Sequence, residues 1–177
     1  MKIVAYKRGG EYCCRPDTTL NHNNSDYYCP DGVTALKAVP CVYTHIDKAG
    51  KCVAARFARR YFKSAAFGCL LSDATAGVLP DVATSMDFTS IMDMSFADCE
   101  SPASGDFTLC VNGAKVYSAG GNRFTEELAA AIVDITRRTS LRIGDIVAVE
   151  LCEAVTVASG DTLEMSSSSR NIPIKII

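Results

Sequence analysis

The chain has 177 residues, 48% of them apolar and 21% charged, which is enough length and apolar content for a globular unit with a packed core. Its net charge of −2, without a basic block, argues against nucleic acid as a partner, and no apolar run approaches the ~20 residues that span a bilayer. Nine cysteines, an odd number that includes the adjacent pair Cys13–Cys14, follow an N-terminus with no secretory pattern, so they read as reduced thiols of a cytoplasmic protein. No Cys-x-x-Cys occurs and only His22 and His45 are present, so no zinc spacing exists.

Met1–Val4 has the character of a short strand. Residues 7 to 26 carry Gly9-Gly10, Pro16-Asp17 and the polar run Asn21 to Asp26, a composition that predicts a long loop, a lid or mobile segment. Tyr27 to Cys29 could form a brief strand, stopped at Pro30-Asp31-Gly32. Val39 to Ile46 is β-prone, and Pro40 suggests an edge position or an irregular start to this strand. Val53, Phe57, Tyr61 and Ala65 recur on one helical face, which predicts a helix over Val53–Ala66, with Arg56, Arg59, Arg60 and Lys63 as a solvated cationic face. Phe67 to Leu71 follows as a buried strand. Residues 77 to 104, with Pro80, Pro102, Met86, Met92 and Met94, are irregular, with short strands near Phe88–Met92.

Phe107 to Val111 alternates, then Asn112-Gly113 turns the chain into Ala114–Tyr117; Asn-Gly suits a type I′ turn because both central residues need positive φ. Gly120-Gly121-Asn122 is loop. Thr125 is placed to N-cap a helix with Glu126-Glu127 at its positive end, the stripe Leu128, Ala131, Ile132 and Ile135, and Arg137-Arg138 at its negative end. Strands are expected at Ile146–Val149, Ala154–Val157, Thr162–Met165 and Ile172–Ile177, with Ser166–Ser169 a turn and Gly144-Asp145 and Gly160-Asp161 as two further turns. The fold class is α+β, mostly β, with about two helices over residues 1–177 as one domain.

Several of these stretches, in order, resemble the fumarylacetoacetate hydrolase family. Leu109 to Gly113 (LCVNG), the following helix, Ser140 to Ile146 (SLRIGDI) and the second Gly-Asp turn look like that family's C-terminal half. Lys48 to Lys51 and Arg56 to Phe62 resemble its strand-turn-helix, and Ser72 to Ala76 its Asp-x-Thr-Ala motif. The resemblance covers most of the chain and implies a mixed β-roll, commonly dimeric. Active members bind Mg²⁺ or Mn²⁺ through a Glu-x-Glu pair and an Asp, and act on small 2-oxo or β-diketo acids; the hard cation polarises the oxo-acid and stabilises the enolate.

Carried over residue by residue, the resemblance puts the Glu-x-Glu pair at Val39 and Cys41, the third ligand at Asp73 and the active-site lysine near Thr84. The Thr-Gly-Thr-Pro loop falls on Ala148–Leu151 and the lid's His-Glu pair near Cys13 to Pro16, with His22 as a possible stand-in. Only Asp73 keeps its type, and one carboxylate cannot hold magnesium usefully. The expectation is therefore a family fold without metal-dependent chemistry or cofactor, a binding or interaction protein, homodimeric, with a small oxo-acid as a possible ligand. The alternative is a rebuilt site of a metal-dependent hydrolase, isomerase or decarboxylase, drawing on Asp73, Glu150, Glu153, Asp81 or Asp87. A Cys41–His45 pair is disfavoured, since two residues four apart on a strand stand ~13 Å apart. A third possibility is a subunit whose site an intact homologue completes.

Overall fold

The structure is a computed structural model and describes residues 1–7, 9–92, 96–98, 106–119, 124–167 and 170–177. Thirteen strands occur among these residues: β1 (Lys2–Tyr6), β2 (Tyr12–Pro16), β3 (Leu20–Asn21), β4 (Leu36–His45), β5 (Ser64–Asp73), β6 (Ser90–Ile91), β7 (Ala97–Asp98), β8 (Phe107–Val111), β9 (Ala114–Ala119), β10 (Ile146–Glu150), β11 (Val155–Val157), β12 (Thr162–Ser167) and β13 (Arg170–Lys175). Two α-helices join them, the single turn α1 (Pro80–Ala83) and the longer α2 (Phe124–Arg138). No helix among the described residues is long and apolar enough to cross a membrane. The expected Gly120-Gly121-Asn122 loop, Met94, Pro102 and Ser168–Ser169 lie outside the described residues.

The large sheet runs β2-β1-β10-β4-β5-β6-β3, with β11 on β4 and β7 on β5; the small one runs β13-β12-β8-β9. β2 and β3 stand at opposite ends of the large sheet, yet only the 3-10 turn Asp17–Thr19 separates them in sequence. The sheet must therefore curl until its ends meet. Side chains stitch the seam: Arg15 on β2 donates to the carbonyls of Leu71 and Thr89 and to Ser90 Oγ, and Thr19 Oγ1 lies 3.0 Å from the same Ser90 Oγ. Gly68 on β5 is required inside the roll, because a Cβ there would lie 2.4 Å from the Ile91 carbonyl oxygen. Phe67 joins the layers, stacking on Phe107 of β8 at 4.7 Å and meeting Phe124 of α2 edge-on at 4.9 Å. Leu128, Ala131, Ile132 and Ile135 are fully buried, as the helical stripe predicts.

Several local expectations are corrected. The stretch read as loop over 7 to 26 contains β2, paired with all of β1. Its Tyr-Cys-Cys-Arg-Pro core alternates too briefly to stand out between glycines and polar residues. Pro40 lies in a central strand rather than at an edge. Its carbonyl accepts from Leu151 N–H at 2.9 Å, so its nitrogen faces the same neighbour. That neighbour breaks there, between β10, which ends opposite Cys41, and β11, which begins opposite Ala38, so no ladder donor is missed. The helix expected over Val53–Ala66 is a 3-10 segment, Ala55–Tyr61, with no side-chain cap, and Ser64 to Ala66 belong to β5. Within the 3-10 segment only Ala58 is buried, with the buried Val53 and Phe62 on either side, while Phe57 stays exposed. Thr125 lies within α2, which begins by Phe124. Tyr27 makes only an isolated bridge to Ile176.

The turn chemistry holds. Asn112 and Gly113 have φ of 51° and 76°. Both Gly-Asp turns are built alike: the Asp N–H donates to the carbonyl three residues back (Arg142, Ala158), and the Asp carboxylate accepts from that residue's N–H. The glycine between takes a φ of 86° or 96°.

Candidate functional site

Alternation along the strands builds one face inside the curled sheet. On β4, Lys37, Val39 and Cys41 share a face; the antiparallel register places Ser72, Leu70 and Gly68 of β5 beside them, and Glu150 of β10 opposite Cys41. Cys13 and Arg15 alternate in the same sense on β2, with Cys13 opposite Ala5. Above this floor lies a cleft of about 1340 Å³, walled by Lys7, Glu11, Asp81, Thr84, Arg138 and the segment Glu150–Ala154. That exceeds the ~300–1,000 Å³ usual for small-ligand sites.

Several of the positions singled out in the sequence meet here. Val39, Thr84, Leu151, Cys13 and Arg15 line the cleft, as do Glu150, Glu153 and Asp81. Cys41 lies fully buried at its floor; burial pushes its thiol well above the usual range, Cys69 and Glu150 add to this, and Arg15 opposes it. Asp73 does not line the cleft. It pairs with Leu36, so the pleat turns it away from the face that carries Ser72 and Leu70, and its Oδ1 accepts from Thr75 N–H at 2.7 Å, a turn acid. Asp87 and His22 are exposed and line no part of it. Cys41 and His45 are separated by Tyr43 on the strand, and His45 packs on Phe96 with ring centres 5.0 Å apart.

The residue that sequence reasoning missed is Arg15. Its side chain is 3% exposed, its two terminal nitrogens are spent on Leu71, Thr89 and Ser90, and its Nε has no hydrogen-bond partner among the described residues. Burial lowers its pKa, while Cys13, Cys41 and Glu150 oppose that fall, and a guanidinium stays charged throughout. Burial raises the Glu150 carboxyl, Lys7 and Arg15 pull it back, and Glu153 adds to the rise. The cleft thus mixes four cations (Lys7, Arg15, Lys37, Arg138) with four carboxylates (Glu11, Asp81, Glu150, Glu153). The period-two pattern of Cys13 and Arg15 was the only sequence signal for the buried guanidinium.

A hard cation needs several oxygen ligands held together. Among the described residues, no three of His, Cys, Asp and Glu are grouped so as to hold a metal ion. The positions to which the resemblance assigns the carboxylate pair carry an apolar side chain and a buried thiol. This donor set does not fit Mg²⁺ or Mn²⁺ as that resemblance would place it.

No family model matches the sequence, and no curated protein matches it. Solved structures do match the fold. A protein described as a fumarylacetoacetate hydrolase family member from Yersinia pestis CO92 superposes with a TM-score of 0.80 at 18% identity, covering 99% of this chain and 92% of that one. Fumarylpyruvate hydrolase from Pseudomonas aeruginosa, solved with Mn²⁺ and pyruvate, gives 0.81 at 12% identity, with coverage of 100% and 89%. The 2-hydroxyhepta-2,4-diene-1,7-dioate isomerase from Mycobacterium marinum gives 0.81 at 15%, with coverage of 99% and 74%. The fold of this chain, α+β and mostly β, is the one found in fumarylacetoacetate hydrolase family proteins.

Proposed function

We propose that this protein binds a small oxo-acid in the cleft and holds its carboxylate with fixed cations instead of a metal ion. The observation that carries this reading is the buried Arg15, whose Nε has no hydrogen-bond partner among the described residues, on the same cleft lining as Val39, where the resemblance would place a metal-binding glutamate. A buried guanidinium is a strong partner for a carboxylate, since its charge is permanent and its N–H groups are rigidly placed. Lys37, on the same strand face as Val39, supplies a second, exposed cation. With no hard-cation ligand set among the described residues, the protein acts in this reading by binding and not by metal-assisted enolisation.

Calorimetric titration with pyruvate, with and without a chelator, tests this. Binding is expected to survive the chelator and to weaken about three- to tenfold in Lys37→Gln, as for a partly exposed charge contact. Stoichiometric, tight Mn²⁺ binding by the purified chain, or pyruvate binding that requires it, would overturn the reading.

One observation favours a second reading, a rebuilt site for metal-dependent hydrolysis, isomerisation or decarboxylation of oxo-acids. Glu150, Glu153 and Asp81 do line a common cleft. This reading requires Glu150→Gln and Asp81→Asn each to abolish Mn²⁺-dependent turnover of an oxo-acid. The fixed-cation reading expects no such turnover in the parent.

A further inference from the structure

Residues 48 to 63 contain six of the chain's 18 cations (Lys48, Lys51, Arg56, Arg59, Arg60 and Lys63) and none of its 20 acids. All six are exposed, and none is in an ion pair among the described residues. The fold gathers them. Asp47 N–H donates to the Tyr61 carbonyl at 2.8 Å, and Lys48 Nζ lies 5.6 Å from the Tyr61 ring centre, so the start of the segment rests against its end. Gly50 permits this closure, since a Cβ there would lie 2.4 Å from Tyr61 Cε1. In between, the Arg56 and Arg60 guanidinium groups lie 4.7 and 4.9 Å from the centre of the Phe57 ring, which is itself 36% exposed, and Arg59 lies 4.8 Å from that of the buried Phe62.

Six unpaired like charges in one short segment repel each other, and in isolation that opposes the compact state. Stacking on the rings holds the guanidinium groups in place while their N–H donors remain free for phosphate oxygens. The outer faces of the guanidinium groups that Phe57 supports offer flat surfaces on which bases can stack. An acidic peptide or a lipid headgroup would use the charge but leave those surfaces unused, and a duplex hides its base faces. This departs from the expectation drawn from the net charge of −2: these six cations, with no acid among them, form a local basic block that the whole-chain balance hides, and fields are screened beyond ~8 Å at physiological salt. We infer that this cationic 3-10 segment, with Phe57 at its centre, is a binding surface for single-stranded nucleic acid.

Fluorescence anisotropy of the full chain with a labelled oligouridine of about 12 nucleotides, at roughly 50 mM salt, tests this. Comparison probes are an oligoglutamate peptide of similar charge, a duplex of the same length and phosphatidylserine vesicles. Oligouridine is expected to bind about tenfold more tightly than each, with log K falling against log salt at a slope near ~−3 if four phosphates are neutralised. Arg56→Gln with Arg60→Gln should cost about tenfold and flatten that slope, while Phe57→Ala should cost about tenfold and leave the slope unchanged. Lys48→Gln with Lys63→Gln removes two exposed ammonium groups without touching the Phe57 stack, so a slope shallower by ~1.4 is expected from a fully folded protein. Absence of saturable oligouridine binding, equal binding of any comparison probe, or binding indifferent to all three variants would overturn the inference.

Discussion

The two Gly-Asp turns and the cleft floor are both places where the sequence looks like an enzyme family, and they have fared differently. At the turns the acids are present and structurally employed. Asp145 is 3% exposed, accepts from the N–H groups of Lys2 and Arg142 and pairs with Lys2 Nζ at 2.7 Å. Asp161 accepts from Asn112 Nδ2 and Ala158 N–H and so ties the second turn to the Asn-Gly hairpin. At the cleft floor the framework is equally tight, but Val39 and Cys41 stand where the resemblance expects carboxylates. The turn acids match the resemblance and satisfy backbone groups, whereas the positions to which it assigns the metal-binding pair carry no hard oxygen donor. A fold needs its turn chemistry for stability, while a site's donors matter only to the reaction.

Substitutions can break this contrast or sharpen it. The largest effect is expected at the floor itself. Gly68→Ala should cost about 3 kcal/mol or more in denaturant unfolding, because the clash is with the Ile91 backbone, which cannot rotate away. A cost below about 1 kcal/mol would show that the roll is looser than described.

Next comes Asp145→Ala, expected to cost about 2 kcal/mol from lost charge-assisted hydrogen bonds around a buried carboxylate. Burial alone would raise the Asp145 pKa, but Lys2 and the Arg142 and Lys2 N–H groups outweigh it and hold it below its ordinary 3.8. Its contribution is therefore fully present above that value and is lost as pH falls through the depressed folded value. The parent should lose stability below about pH 4 more steeply than the variant, which acid-unfolding curves would show.

The smallest effect is expected at Glu150, whose carboxyl is raised above its ordinary 4.5, chiefly by burial. A raised carboxyl favours the folded state at low pH and penalises it as pH rises through the folded value. Glu150→Gln should thus be more stable than the parent near neutral pH, by less than about 1 kcal/mol given its partial exposure, with no gain below pH 4.5. A neutral residue there also removes a negative charge from the cleft, so pyruvate should bind the variant more tightly. Weaker binding would make Glu150 a ligand contact instead.

Much of the framework was legible in the residues. The alternation of Phe107–Val111 marked β8, short strand-like runs marked β10 and β12, the Asn112-Gly113 pair marked its hairpin, and the Leu128 to Ile135 stripe marked α2. Legibility failed where long-range closure overrode local signal. The Val53–Ala66 pattern has helical spacing, but Ser64–Ala66 is captured by pairing with β4 and β7, leaving room only for a short 3-10 segment. Pro40 looked like an edge residue because a sequence does not reveal that a neighbouring strand breaks opposite it. Asp73 matched a motif, yet which face of β5 it occupies depends on a register fixed 37 residues earlier, at its partner Leu36.

By itself, then, the sequence determined the local elements and their turns, because φ preference, alternation and helical spacing act over a few residues. Only the tertiary structure decided where chemistry could occur. Curling the sheet until β2 met β5 and β6 carried Arg15 from an apparent loop into the buried lining of the cleft and brought Glu150, Glu153 and Asp81 to one space. The same curl left Asp73 facing away. Side-chain convergence depends on strand order and register, which join residues far apart in the chain.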